Sequence, residues 1–116
     1  MRKDSRIYHM CPAEDWRAAR AAGGYRGGPQ DEADGFIHFS RQAQIRESAR
    51  KHRKGEAGLV LLEVDAEILG GALKWETSRG GALFPHLYGP LPLDAVLAVH
   101  DLALGPDGLH IFPASI

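Results

Sequence analysis

Glycine and proline interrupt the chain so often that no long helix fits between them. The 116 residues include 14 glycines and seven prolines. Glycine readily adopts positive φ and proline lacks a backbone N–H, so both favour turns. Apolar residues make up 44% and charged residues 25%, which is typical of a globular domain. At this length we expect a single domain over residues 1–116.

Short apolar segments bounded by these turns indicate strands. Alternating or continuous apolar patterns predict strands near residues 6–10, 36–39, 59–64 and 95–104, with a shorter one at 73–77. Gly-Pro-Asp-Gly, between Ala95–Leu104 and Leu109–Phe112, is typical of a hairpin turn. The prolines of residues 84–92 argue against a central strand there.

Two segments have helical periodicity instead. Apolar residues three and four apart predict helices near 12–22, anchored by Trp16, and near 41–54, with Ser40 as N-cap and an inner face that includes Ile45 and Ala49. Residues 24–34 have the composition of a polar loop. The fold class is therefore α+β, with a mostly antiparallel sheet and two main helices.

Charge and cysteine content narrow the function classes. The net charge of −1 predicts no strong affinity for nucleic acid or for anionic membranes. The basic segment 41–54 is either a solvated helix face or a phosphate-facing patch. No apolar run is long enough to span a bilayer and no apolar signal core follows Met1, so we expect a cytoplasmic protein. The single cysteine, Cys11, excludes an internal disulfide.

Polar residues recur within the aromatic strands. In the segment Phe36–Ser40, alternation places Phe36, His38 and Ser40 on one face and Ile37 and Phe39 on the other. If the second face packs on the core, the first forms a pocket wall. The alternative is a histidine at the rim of the core, bonded to the backbone.

We expect His9, His38, Glu76 and His86 to share one cleft with Trp75 and Tyr88. A carboxylate beside an indole would have a raised pKa, so Glu76 is a candidate acid–base group; a solvated glutamate at a strand end is the alternative. The three histidines and the glutamate are zinc-compatible, but none has short ligand spacing, so we expect no metal.

A set of residues and motifs along much of the chain forms a recognisable pattern: Ile7-Tyr8-His9, Trp16, Gly23, Tyr25, Asp34–Ser40, Gln44, Trp75-Glu76 and Phe84–Leu91. In these residues the chain resembles a small bacterial family, domain of unknown function 952. The two longer motifs, Asp34–Ser40 and Phe84–Leu91, are the specific ones.

Tyr8-His9 on a first strand, with Gly35–Ser40 on a second strand before a helix, is also similar to ADP-ribosyltransferases, in particular the RNA 2′-phosphotransferase branch. This resemblance implies a related fold, NAD as the bound substrate and transfer of a group from NAD. It implies catalytic roles for His38, Glu76 and His86, and cofactor contacts from His9, Phe36, Ser40, Trp75 and Tyr88. The alternatives are a non-catalytic module that binds a nucleotide or a modified end, and an accessory domain without a ligand.

Overall fold

The computed structural model describes residues 5–116 as ten strands and four helices, several of them short. In chain order the elements are β1 (Arg6–Pro12), α1 (Ala13–Ala22), β2 (Gly24–Tyr25), α2 (Pro29–Asp34), β3 (Ile37–His38), β4 (Ser40–Arg41), α3 (Gln42–His52), β5 (Leu59–Asp65), α4 (Ala66–Leu69), β6 (Leu73–Thr77), β7 (Leu83–Leu87), β8 (Leu91–Pro92), β9 (Val96–Leu104) and β10 (His110–Ile111).

The strands form a five-stranded sheet in the order β10-β9-β5-β1-β4, a three-stranded sheet in the order β3-β7-β6, and the pair β2-β8. Every pairing is antiparallel. The chain passes directly from β3 in the three-stranded sheet to β4 in the five-stranded sheet, and the antiparallel structure curls at this point. The predicted α+β class with an antiparallel sheet is confirmed. Within residues 5–116, none of the helices has the length and apolar character needed to span a bilayer.

Alternation along β1 divides the core into two parts. Ile7 and Cys11 face the side that α1 covers with Trp16, while Tyr8 and Met10 belong to the cluster that α3 completes. β5 is buried on both faces because it lies at the centre of the large sheet, and its run of apolar residues reflects that position.

The two predicted helices are confirmed, but the predicted start of the second is wrong. Ser40 is not the N-cap of α3, because it pairs with Tyr8 as part of β4. Arg41 takes the cap position, and its backbone N–H donates to Gln44 Oε1 at 2.9 Å. Of the predicted inner face, Ile45 and Ala49 are buried.

Two further expectations are corrected. The predicted polar loop 24–34 contains the helix α2, which starts with Pro29 at its first position and ends at Gly35 with φ 85°. The segment expected to lie off a central strand contributes β7, the middle strand of the small sheet. Pro85 is tolerated there because the pairing of β3 with β7 ends at His86, and the Pro85 carbonyl accepts from Phe39 N–H at 3.0 Å.

Candidate functional site

Four rings meet where β3 and β7 pair. The register places His38 opposite His86, with 5.6 Å between their ring centroids. Phe36 stacks on His86 at 4.1 Å and also packs against His38 at 4.6 Å and Tyr88 at 5.2 Å. We call these rings, together with Glu76, the Phe36 cluster. As alternation predicts, Ile37 and Phe39 are buried on the opposite side, in the core.

Glu76 orients one side of the Phe36 cluster. Its Oε1 accepts from His86 Nδ1 and from the Tyr88 hydroxyl, both at 2.8 Å. A carboxylate can only accept, so Nδ1 of His86 donates the proton of this hydrogen bond and leaves Nε2 as the second ring nitrogen. Within residues 5–116, neither Nε2 of His86 nor Oε2 of Glu76 has a hydrogen-bond partner. The arrangement is an imidazole held by a carboxylate, with its second nitrogen free.

The expected raised pKa of Glu76 is wrong. The hydrogen bonds from His86 and Tyr88 hold the pKa of this carboxyl below its ordinary value. The indole expected to raise the pKa is absent from this side, since Trp75 is the preceding residue on β6 and points to the opposite face. Trp75 therefore lies outside the Phe36 cluster, on the same face of the small sheet as Pro85, its partner in the register.

His38 is held between two carboxylates of α2. Its Nδ1 lies 2.6 Å from Asp31 Oδ1, and its Nε2 lies 2.9 Å from Asp34 Oδ2. These contacts, the bond to Asp31 first among them, raise the pKa of His38. The charged ring can donate to both partners at once, so neither nitrogen is left for a ligand.

Asp31 is the functional-site residue that the sequence analysis missed. Its side chain is buried, and besides the His38 ring it accepts Gly28 N–H at 2.7 Å and His38 N–H at 3.0 Å. Burial acts to raise its pKa, but the hydrogen bonds from His38 and Gly28 outweigh burial and leave the pKa below its ordinary value. Asp31 thus fastens α2 to the start of β3.

His9 lies underneath the Phe36 cluster. It is buried, its Nδ1–H donates to the His38 carbonyl at 2.6 Å, and its Nε2 accepts from the Tyr25 hydroxyl at 2.8 Å. Burial lowers the pKa of His9, so the ring is neutral. In this structure His9 supports the backbone of His38 and is not open to a ligand.

Ser40 lies apart from the other candidates. It is buried, and its hydroxyl shares a hydrogen bond with Ser48 of α3 at 2.9 Å. The step of the chain into β4 moves Ser40 to the large sheet, so alternation from His38 does not carry across that step.

A depression of about 170 Å³ adjoins Phe36. Asp31 contributes to its wall, Arg26 supplies a positive charge, and the backbone of Gly35 and Gly89 forms part of its rim. Within residues 5–116, no group of three or more histidine, cysteine or acidic side chains is arranged to hold a metal ion.

The chain belongs to the DUF952 family, described as a protein of unknown function, whose model matches residues 10–99. That predicted resemblance is confirmed. The crystal structure of protein CC0527 from Caulobacter crescentus is similar to this chain, with a TM-score of 0.89 and 50% identity over 91% of this chain and 93% of that one. The solution NMR structure of CC0527 has a TM-score of 0.81 and 50% identity over 90% of each chain. No curated protein matches the sequence.

Proposed function

We propose that the Phe36 cluster binds a nucleotide of the NAD or ADP-ribose type. The observation that carries this proposal is the stack of Phe36 on His86, flanked by Tyr88. Aromatic faces of this kind pack against a nicotinamide or adenine ring. Arg26, beside the adjoining depression, is a suitable partner for a diphosphate.

In this proposal His38 is a positioning residue. Its charge is balanced by Asp31 and Asp34 and its donors are occupied, so it does not bond the ligand directly. It instead fixes the loop that presents Phe36, against which its ring packs. His9 acts one layer deeper, through the His38 carbonyl.

The proposal extends to transfer of the ADP-ribosyl group. The C1′–N bond to nicotinamide breaks, nicotinamide leaves with the bonding electrons, and the ribose gains positive character. Glu76 would stabilise that charge through Oε2, since Oε1 is held by His86 and Tyr88. The acceptor hydroxyl forms the new bond to C1′, and its proton passes to His86 Nε2.

A relationship to the ADP-ribosyltransferase fold is part of the same proposal. Its support is that His9 lies on β1, the first strand of the chain, directly beneath His38 on β3, which is formed by part of the segment Gly35–Ser40. A non-catalytic binding module would use the same Phe36 cluster. It would differ from the enzyme only in making no use of Glu76 Oε2.

Calorimetry and thermal shift with NAD, ADP-ribose, nicotinamide and 2′-phosphorylated nucleotides test the binding step. A ligand at 100 times its dissociation constant should add about 2.7 kcal/mol of stability. Phe36→Leu should weaken binding by about 2- to 10-fold, the range expected for one aromatic contact. Trp75→Leu is the matched control, an aromatic residue on the opposite face of the sheet, and should leave binding unchanged. No heat and no shift with millimolar ligands would refute the proposal.

Glu76→Gln separates the enzyme from the binding module. In the enzyme, release of nicotinamide should fall by about 100-fold with little change in affinity, because the charge acts mainly in the transition state. If Glu76→Gln binds NAD as tightly as the wild type, and the wild type itself releases no nicotinamide, the results favour the binding module.

A further inference from the structure

A second depression, of about 240 Å³, lies between α3 and the segment Leu109–Phe112, which contains β10. It shares no lining residue with the depression beside Phe36. Benzene fills an apolar cavity of about 150 Å³, so the space between α3 and β10 is large enough for a small organic molecule. We call this depression the α3–β10 cavity.

The walls of the α3–β10 cavity are mostly apolar. Ala49 of α3 forms part of one wall, and Leu109 and Phe112 contribute to the other. Phe112 also packs against the core cluster that α3 completes, so its ring is held in place by the core. Walls of this kind suit the apolar body of a ligand.

Arg46 brings a positive charge to the rim of the cavity. Its guanidinium carbon lies 5.2 Å from the centre of the Phe112 ring, and its Nη2 donates a long hydrogen bond, 3.4 Å, to the Pro113 carbonyl. Within residues 5–116, no acidic side chain forms an ion pair with Arg46. Arginine presents five N–H donors, so most of them remain available to a carboxylate or phosphate ligand.

The neighbouring charges of α3 leave this rim positive. Glu47 also lines the cavity, but Arg50 donates to both of its carboxylate oxygens, at 2.8 and 2.6 Å, and Lys51 Nζ lies 3.8 Å from one of them. One carboxylate is thus shared between two cations, and Arg46 adds a third cation. The basic segment 41–54 therefore places part of its charge beside an apolar cavity, where an anion would be attracted.

We propose that the α3–β10 cavity binds a small organic acid that has a single carboxylate on an aromatic or branched apolar body. The carboxylate accepts from Arg46, whose planar guanidinium can bond both of its oxygens. The apolar body lies against Leu109 and Phe112, where it removes apolar surface from water. An inorganic phosphate ion fits less well, because it would leave these apolar walls uncovered.

Titration of the full chain with phenylacetate, monitored by backbone amide NMR, tests this proposal. For so small a ligand we expect a dissociation constant of about 1 mM. The signals of Ala49 and of Leu109–Phe112 should shift, and those of Phe36 and Tyr88 should stay in place. Phenylacetamide has the same shape without the charge and should bind about 10-fold more weakly. No shift at about 10 mM phenylacetate, equal binding of phenylacetamide, or equally tight binding of inorganic phosphate would overturn the proposal.

Substitutions of Arg46 identify the group that holds the carboxylate. Arg46→Gln should weaken phenylacetate binding by about 10-fold, because it removes a charged hydrogen-bond donor. Arg46→Lys keeps the charge without the planar fork and should fall between Arg46→Gln and the wild type. Arg20→Gln, in the last turn of α1, is the matched control and should bind like the wild type. Circular dichroism checks that each variant folds. A folded Arg46→Gln variant with unchanged affinity would contradict the proposal.

Discussion

Asp31→Asn should destabilise the protein by about 2–4 kcal/mol. The carboxylate, whose side chain is 8% exposed, accepts hydrogen bonds from Gly28 N–H, His38 N–H and His38 Nδ1–H. Asparagine has one acceptor oxygen, so its NH₂ group would face one of these donors. A hydrogen bond to a charged group contributes about 1.5–3 kcal/mol, and an unsatisfied buried donor costs about 1–3 kcal/mol.

Urea unfolding at pH 6 measures this loss, and Asp34→Asn is the matched control. Asp34 bonds the other nitrogen of the same His38 ring, but its side chain is 38% exposed. A solvated pair of this kind contributes about 1 kcal/mol or less. Equal losses in the two variants, or a loss below about 1 kcal/mol for Asp31→Asn, would refute the assignment of Asp31 as the residue that fastens the site.

Three further changes test the surroundings of the site. Asp31 has a lowered pKa and His38 a raised one, relative to ordinary values of 3.8 and 6.5. The stability that the Asp31–His38 pair contributes should be complete between about pH 4 and 6.5. It should fall as the pH rises through the pKa of His38 in the folded state, and also as the pH drops through the pKa of Asp31. In urea unfolding at a series of pH values, His38→Gln should abolish the loss of stability on the alkaline side. His9→Ala removes the hydrogen-bond partner of the His38 carbonyl and the acceptor of the Tyr25 hydroxyl, and it should cost about 2–4 kcal/mol in urea unfolding, whereas a loss near zero would contradict the hydrogen bonds. Burial raises the pKa of Cys11 to about 11, so an aromatic disulfide reagent at pH 8 should modify the native thiol about 100-fold more slowly than the unfolded one, and equal rates would show an accessible thiol.

Local patterns predicted the elements and one face of the site. The period of two in Phe36–Phe39 placed His38 on the outer face and Ile37 in the core, because a strand residue's face depends only on its position in the strand. The same rule places Trp75 and Glu76 on opposite faces. The prediction that both line one cleft was wrong because it relied on adjacency in the sequence.

Long-range contacts account for what the sequence analysis missed. Asp31 acts on His38 only because the turn at Gly35 folds α2 back beside β3. Gly28-Pro29 followed by acidic residues is a helix-start signal, so α2 could have been found, but the partner of Asp31 could not. The step from β3 to β4 likewise removed Ser40 from the face it shares with His38 in an uninterrupted strand.

Histidine side-chain NMR tests our claim that the Phe36 cluster binds an ADP-ribose-type nucleotide. In a titration with ADP-ribose, the ring nitrogen signals of His86 should shift, with Nδ1 still protonated by its bond to Glu76. The signals of His100 and His110, which lie on β9 and β10 of the large sheet, should stay in place. Unchanged His86 signals at millimolar ADP-ribose, or shifts confined to His100 and His110, would contradict the claim.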